Sequence, residues 1–158
     1  MKEFLDTSVL VAAFWRGHQE HAASLRLFAA AQKSNSACSI HSLAELYSTM
    51  SRLPVRPPVP SEQALLFVQE VRARLHLISL EEDEYFEAIQ VVADRKFLGG
   101  RAYDALLLRC ASKCGAQQIY TWNVKHFRAI APELSDRIQT PWRFPAAIRI
   151  YFVSARAT

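Results

Sequence analysis

Short apolar runs alternate along this chain with longer stretches of helical period, and no other sequence feature narrows its fold as far. Residues 2–5, 37–40, 77–79 and 118–121 read as short strands bounded by polar or turn-forming residues. Between the first two, residues 19–32 repeat Ala22, Leu25, Phe28 and Ala29 at helical spacing. Residues 61–75, 79–100, 101–113 and 124–130 read as further helices, with Gly115 just past the end of the third as a helix C-terminus prefers. Strands alternating with helices in this way build a parallel sheet covered on both faces, so the expected class is α/β with three α/β/α layers. At 158 residues the chain suits one domain with a sizeable core. The segment Leu53 to Pro60 holds four of the seven prolines and reads as a stiff connection inside that domain, because neither side of it would hold a complete core.

Helix starts are marked by hydroxyls. Ser8 is placed to cap a helix beginning after Asp6, Ser61 another, and Ser79 opens a Ser-Leu-Glu-Glu capping box. Ser42 and Glu45 form the same Ser-x-x-Glu pattern, which gives Glu45 a purely local use: bonding back to the cap residue's own N–H. The acidic run from Glu81 to Glu84 lies at a helix start, where the macrodipole favours negative charge.

Four polar residues sit in apolar surroundings: Asp6, Glu45, Asp104 and Asn123. Asp6 closes the first strand and Asn123 follows the last. Glu45 lies among Leu43, Ala44, Leu46 and Tyr47, and Asp104 shares a helix face with Leu107, Leu108 and Ala111. In open α/β sheets ligands gather beyond the carboxyl ends of the strands, where Asp6 and Asn123 would stand and which Glu45 and Asp104 would reach from helices. Buried acids call for a partner, and no basic residue stands beside each of these. Two carboxylates about 5 Å apart at an effective dielectric near 20 repel by on the order of 3 kcal/mol. A cation is the missing partner, and an all-oxygen set favours magnesium or manganese over zinc.

The pieces that carry this pattern are Phe4-Leu5-Asp6-Thr7-Ser8, Ser42-Leu43-Ala44-Glu45-Leu46, Tyr103-Asp104-Ala105-Leu106-Leu107 and Thr121-Trp122-Asn123-Val124-Lys125-His126-Phe127. Their order and spacing resemble the PIN-domain ribonucleases, particularly the toxins of VapBC-type toxin–antitoxin pairs, over roughly residues 1–142. The resemblance implies metal-dependent hydrolysis of RNA with one or two Mg²⁺ or Mn²⁺ ions, leaving a 5′-phosphate and a 3′-hydroxyl. It implies Asp6 and Asp104 as primary ligands and Glu45 as a ligand or water-orienting group. Asn123 would hold water or an outer position, since many relatives carry Asp there. Ser8 and Thr121 match the hydroxyls that orient carboxylates or water, whereas Thr7 has an equal reading as a turn residue. Arg101 and Lys125 are the basic residues nearest the site, each open to a phosphate contact or to a solvating surface role. A cognate antitoxin and a homodimer are the implied partners, with the helix around Leu65 to Leu75 a candidate dimer surface. The alternative is a catalytically weak or inactive RNA-binding module of the same fold. Other doubly wound enzymes fit less well: a haloacid-dehalogenase-type phosphatase needs an acid where Ser8 stands, and a phospho-acceptor receiver needs an acid after Ile40.

The net charge of +4 modestly favours a polyanionic partner. Three cysteines make no disulfide framework, Cys110 and Cys114 read as small packing residues, and the usage suits a reducing cytoplasm. The apolar runs from Val9 to Trp15 and from Phe144 to Val153 are too short to span a bilayer, so no membrane attachment is expected. Residues 143–158 extend past the resemblance as an added strand, a partner-binding arm or a cloning remnant.

Overall fold

A computed structural model describes residues 1–144. Five strands form one sheet: β1 (Glu3–Leu5), β2 (Ser36–Ser39), β3 (His76–Ile78), β4 (Gln118–Tyr120) and β5 (Ile138–Gln139). All pairings are parallel and the order is β3-β2-β1-β4-β5. The helices are α1 (Thr7–Phe14), α2 (His21–Ala30), α3 (His41–Met50), α4 (Ser61–Arg74), α5 (Glu82–Asp94), α6 (Arg101–Lys113) and α7 (Val124–Ile130). Single 3₁₀ turns at Pro132–Leu134 and Pro141–Arg143 flank β5. This is the expected three-layer α/β/α arrangement.

Successive strand residues point to opposite faces, and that alternation divides the core in two. Phe4, Ala37 and Ile119 join Leu107, Leu108, Phe127 and Ile138 on one side of the sheet. Leu5, Cys38 and Tyr120 join Leu10, Leu27, Leu46 and Leu75 on the other. β1 lies in the middle of the sheet, its three residues all buried. Asp6 therefore leaves the most enclosed strand, at the carboxyl edge. No helix among the described residues is long and apolar enough to cross a membrane.

Several helix starts differ from the sequence expectation. α1 begins at Thr7, one residue before the expected cap, and the Ser8 hydroxyl turns to the Asp6 carboxylate. α3 begins at His41, so Ser42 lies within its first turn, and Glu45 makes no capping bond back to it. The box expected at Ser79 is displaced two residues: Glu81 and Glu84 form it, with Glu84 accepting from the Glu81 N–H at 2.9 Å.

α5 also stops short of Gly99–Gly100. Lys96 takes φ +58, its N–H bonds Ala93 O and the Phe97 N–H bonds Val92 O at 3.0 Å, the paired bonds of a Schellman end. Gly115 closes α6 with the same pair of bonds at φ +62, to Ser112 O and Ala111 O. At the other end of the described chain, Phe144 packs edge-on to Tyr120 with ring centroids 6.1 Å apart. The stretch Ile148 to Val153, read as a possible strand or arm, lies outside the described residues.

Candidate active site

Asp6 is only 2% exposed, with no Lys, Arg or His within 4.0 Å of its carboxylate among the described residues. Its backbone N–H bonds Tyr120 O at 3.0 Å, which ties the end of β1 to the end of β4. Its Oδ2 accepts from Ser8 Oγ at 2.5 Å and from Thr121 Oγ1 at 2.7 Å. Those two hydroxyls are held in turn by the chain after β4: Trp122 N–H donates to Ser8 Oγ at 3.0 Å, and Asn123 N–H to Thr121 Oγ1 at 2.9 Å. A hydroxyl that accepts one bond has its own proton left for the carboxylate. The turn between β4 and α7 thereby orients Asp6, and both Ser8 and Thr121 donate to its carboxylate. Burial pushes the Asp6 carboxyl above its ordinary range despite these bonds.

Glu45 projects from α3 toward the same place. Thr7 Oγ1 lies 2.8 Å from Glu45 Oε2 and 2.9 Å from Ser42 Oγ, so Thr7 donates to the Glu45 carboxylate. Desolvation raises the Glu45 carboxyl, partly offset by that bond and by His41 one turn earlier. Thr7 is thus a supporting residue that pattern reasoning left undecided. Its signal was its place beside Asp6 at a helix start, but a turn residue would look the same.

Asp104, in the first turn of α6, has neither hydroxyl nor backbone donor. Its nearest basic group is Nδ1 of His126 on α7, at 4.0 Å. Burial, then the charges of Asp6 and Glu45, push its carboxyl up to about 7, opposed by Arg101. No other Lys, Arg or His among the described residues comes within 4.0 Å of any of the three carboxylates.

Asp6, Glu45, Asp104 and Asn123 line one pocket of about 320 Å³, together with Thr7, Ser8, Val11, His18, Thr49 and Trp122. Four separate elements thus bring the four expected residues to one place. Among the described residues, no three His, Cys, Asp or Glu side chains stand close enough to grip an ion as they are. The donor chemistry still suits a hard divalent ion: three carboxylates with oxygen atoms not taken by protein donors, and no thiol or imidazole lining the pocket except His18. The His41 imidazole does not join a metal cluster; it stacks on Tyr103.

The two basic candidates differ in placement. Arg101, three residues before Asp104, holds its guanidinium 5.2 Å over the Phe97 ring, and Nη1 is enclosed without a hydrogen-bond partner. Lys125 is exposed beside Asn123, with no ion pair among the described residues.

With this geometry established, comparison with known proteins gives a consistent result. The family model described as PIN domain matches residues 4–131. Ribonuclease VapC27 of Mycobacterium tuberculosis is 33% identical over 114 residues, covering 72% of this chain and 79% of that protein. Ribonuclease VapC40 of the same species is 30% identical over 112 residues, covering 71% and 80%. Among solved structures, VapC20 of Mycobacterium tuberculosis, a Sarcin-Ricin loop cleaving toxin, superimposes with a TM-score of 0.65 at 20% identity, covering 81% of this chain and 95% of its own. VapBC2 of Rickettsia felis, bound to a DNA fragment from its promoter, matches with a TM-score of 0.56 at 25% identity, covering 81% and 92%.

Proposed function

The chain belongs to the PIN-domain family, and from that premise we propose that it is a metal-dependent endoribonuclease and the toxin of a toxin–antitoxin pair. One observation carries the reading: three carboxylates, from the end of β1, α3 and α6, line a single pocket with no Lys or Arg within 4.0 Å among the described residues. Asp6 and Asp104 would hold a Mg²⁺ or Mn²⁺ ion, with Glu45 as third ligand or as the group that orients water. The chemistry such an ion supplies is Lewis-acid stabilisation of charge developing on the phosphate.

The protein's own part is positioning. Ser8 and Thr121 fix the Asp6 carboxylate through Oδ2, and Thr7 fixes Glu45 through Oε2. Asp104, lacking such donors, keeps its oxygens for other partners. Glu45, with its carboxyl raised by desolvation, is suited to take a proton from the attacking water. Asn123, a neutral amide at the pocket wall, holds water by hydrogen bonding. In the reaction a water oxygen bonds to phosphorus and the bond from phosphorus to O3′ breaks. The products are a 5′-phosphate and a 3′-hydroxyl. Arg101 and Lys125 contact phosphates of the RNA on either side.

Relatives that are VapC ribonucleases support the toxin assignment, and a VapBC assembly among the structural matches supports an antitoxin partner. The antitoxin would cover the pocket, placing a basic side chain among Asp6, Glu45 and Asp104. A symmetric homodimer is the expected assembly, with exposed Leu65 and Leu66 on α4 as its candidate contact. Free Cys38, Cys110 and Cys114 suit a reducing cytoplasm.

The test is cleavage of total RNA with sequencing of the new ends. Asp6→Ala and Asp104→Ala should each abolish cleavage and growth arrest while circular dichroism shows a folded protein. Carboxylates acting as one unit lose almost everything when any member is removed. Asn123→Ala should be milder, and Asn123→Asp should preserve activity. A folded Asp6→Ala protein that cuts at the wild-type rate overturns the assignment. One that arrests growth without cutting favours a binding module instead.

A further inference from the structure

Tyr103 stands one residue before Asp104 and is 51% exposed as a residue. The ring is not loose: it stacks on the His41 imidazole, with centroids 5.2 Å apart and planes inclined by 22°. His41 begins α3 and lies one helical turn before Glu45. The stack therefore joins the two helices that carry Glu45 and Asp104, both of which line the carboxylate pocket.

Two enclosed nitrogens accompany it, Nε2 of His41 and Nη1 of Arg101, neither with a hydrogen-bond partner among the described residues. Enclosed polar atoms without partners cost stability, and such costs persist where a ligand completes the bonding. Arg101, two residues before Tyr103 in the same helix turn, is held as a cation over Phe97. A flat π surface backed by a second ring, with a cation on the same helix turn, is a pattern that can take an unstacked base and its phosphate in single-stranded RNA.

We propose that the open face of Tyr103, backed by His41, is a stacking shelf for one nucleobase of the RNA next to the bond being cut, with Arg101 reaching the adjoining phosphate. The inference rests on the ribonuclease reading and adds to it a base subsite. It confines that base to an unpaired position, so loops and single strands are the substrates and continuous duplex is not. Because every base has a π face, the shelf discriminates by stacking strength, favouring purines, more than by base-edge pattern.

The test uses the full chain and a short single-stranded RNA that contains a mapped cleavage site, in versions where each nucleotide near the site is made abasic in turn. Wild-type protein should lose about tenfold in kcat/KM at one abasic position, mostly through KM. Tyr103→Leu should show a similar loss on intact RNA and no further loss at that abasic position. Tyr103→Trp should restore cleavage, and the same site placed within a duplex should resist wild-type protein. Equal cleavage by Tyr103→Leu and wild type, with antitoxin binding alone weakened, overturns the shelf in favour of a protein contact. A kcat loss in Tyr103→Leu that abasic substitution does not mirror assigns Tyr103 only to bracing α3 against α6, and also overturns it. Failure of wild-type protein to cut any RNA removes the ribonuclease reading itself, a result distinct from either.

Discussion

At the scale of single residues, the three carboxylates are supported unequally. Asp6 receives two hydroxyl bonds, Glu45 one from Thr7, and Asp104 none. Thr121→Val should remove a charge-assisted bond to Asp6 and lower kcat by roughly tenfold or more. Asp104 should contribute to the response to pH near neutrality when a chelator is present. Its folded carboxyl titrates at about 7, above the ordinary value of 3.8. The folded state then holds the proton more tightly than the unfolded chain. The associated stability is complete below the unfolded value and disappears as pH rises through about 7. With chelator, the wild-type melting temperature should fall across that window, and Asp104→Asn should flatten the fall and melt higher near neutrality. A steep fall retained in Asp104→Asn would mean that another group carries the effect. Asp6, Glu45, Asp104 and Asn123, which line one pocket, were visible as candidates in the sequence because each is a polar interruption of an apolar pattern. Thr7 was not, since a buried hydroxyl leaves no mark on periodicity. Nor could the sequence decide whether Glu45 serves as a cap; the start of α3 at His41 removes that local use.

At the scale of elements, α6 and α7 were readable to the residue, because Gly115 and the polar residues before Val124 punctuate them. α5 was not, and its end explains why. The same Schellman bonds close α5 and α6, yet a lysine holds the left-handed position in one and a glycine in the other. A pattern search waiting for glycine runs on to Gly99. The pair allows a reciprocal test by urea unfolding. Lys96→Gly should stabilise by roughly 0.5–1 kcal/mol, relief of left-handed strain outweighing added freedom in the unfolded chain. Gly115→Lys should destabilise by about 1 kcal/mol or more. Neither should change kcat, as both lie away from the pocket. β5 was missed altogether: two residues, Ile138 and Gln139, are too few to show an alternation, and only the neighbouring β4 makes them a strand.

At the scale of the whole molecule, the sheet gathers three unneutralised acids at one edge, and the cost of that gathering should be recoverable. An ion present at a hundred times its Kd stabilises a folded protein by about 2.7 kcal/mol. For a body of this size that is a rise in Tm of roughly 8 °C. Millimolar Mg²⁺ or Mn²⁺ should produce such a rise in the wild type and little of it in Asp104→Asn. The parallel α/β/α plan was legible because alternation of strand and helix admits few other arrangements. What the sequence could not supply was the spacing of the carboxylates, which depends on how three helices pack and not on any local pattern.

Trp122 has a consequence for anyone who wants to watch this pocket at work. Its indole lines the site, its Nε1–H is anchored to Ser24 Oγ at 2.9 Å, and the Trp142 ring meets it edge-on at 6.2 Å. The fluorophore is thus immobilised at the place where occupancy changes the local field. Steady-state emission should shift when ion or RNA enters, without any attached dye. Trp142→Phe would remove energy exchange within the pair and Trp15→Phe the remaining background, leaving a single intrinsic reporter for stopped-flow measurement of arrival and departure.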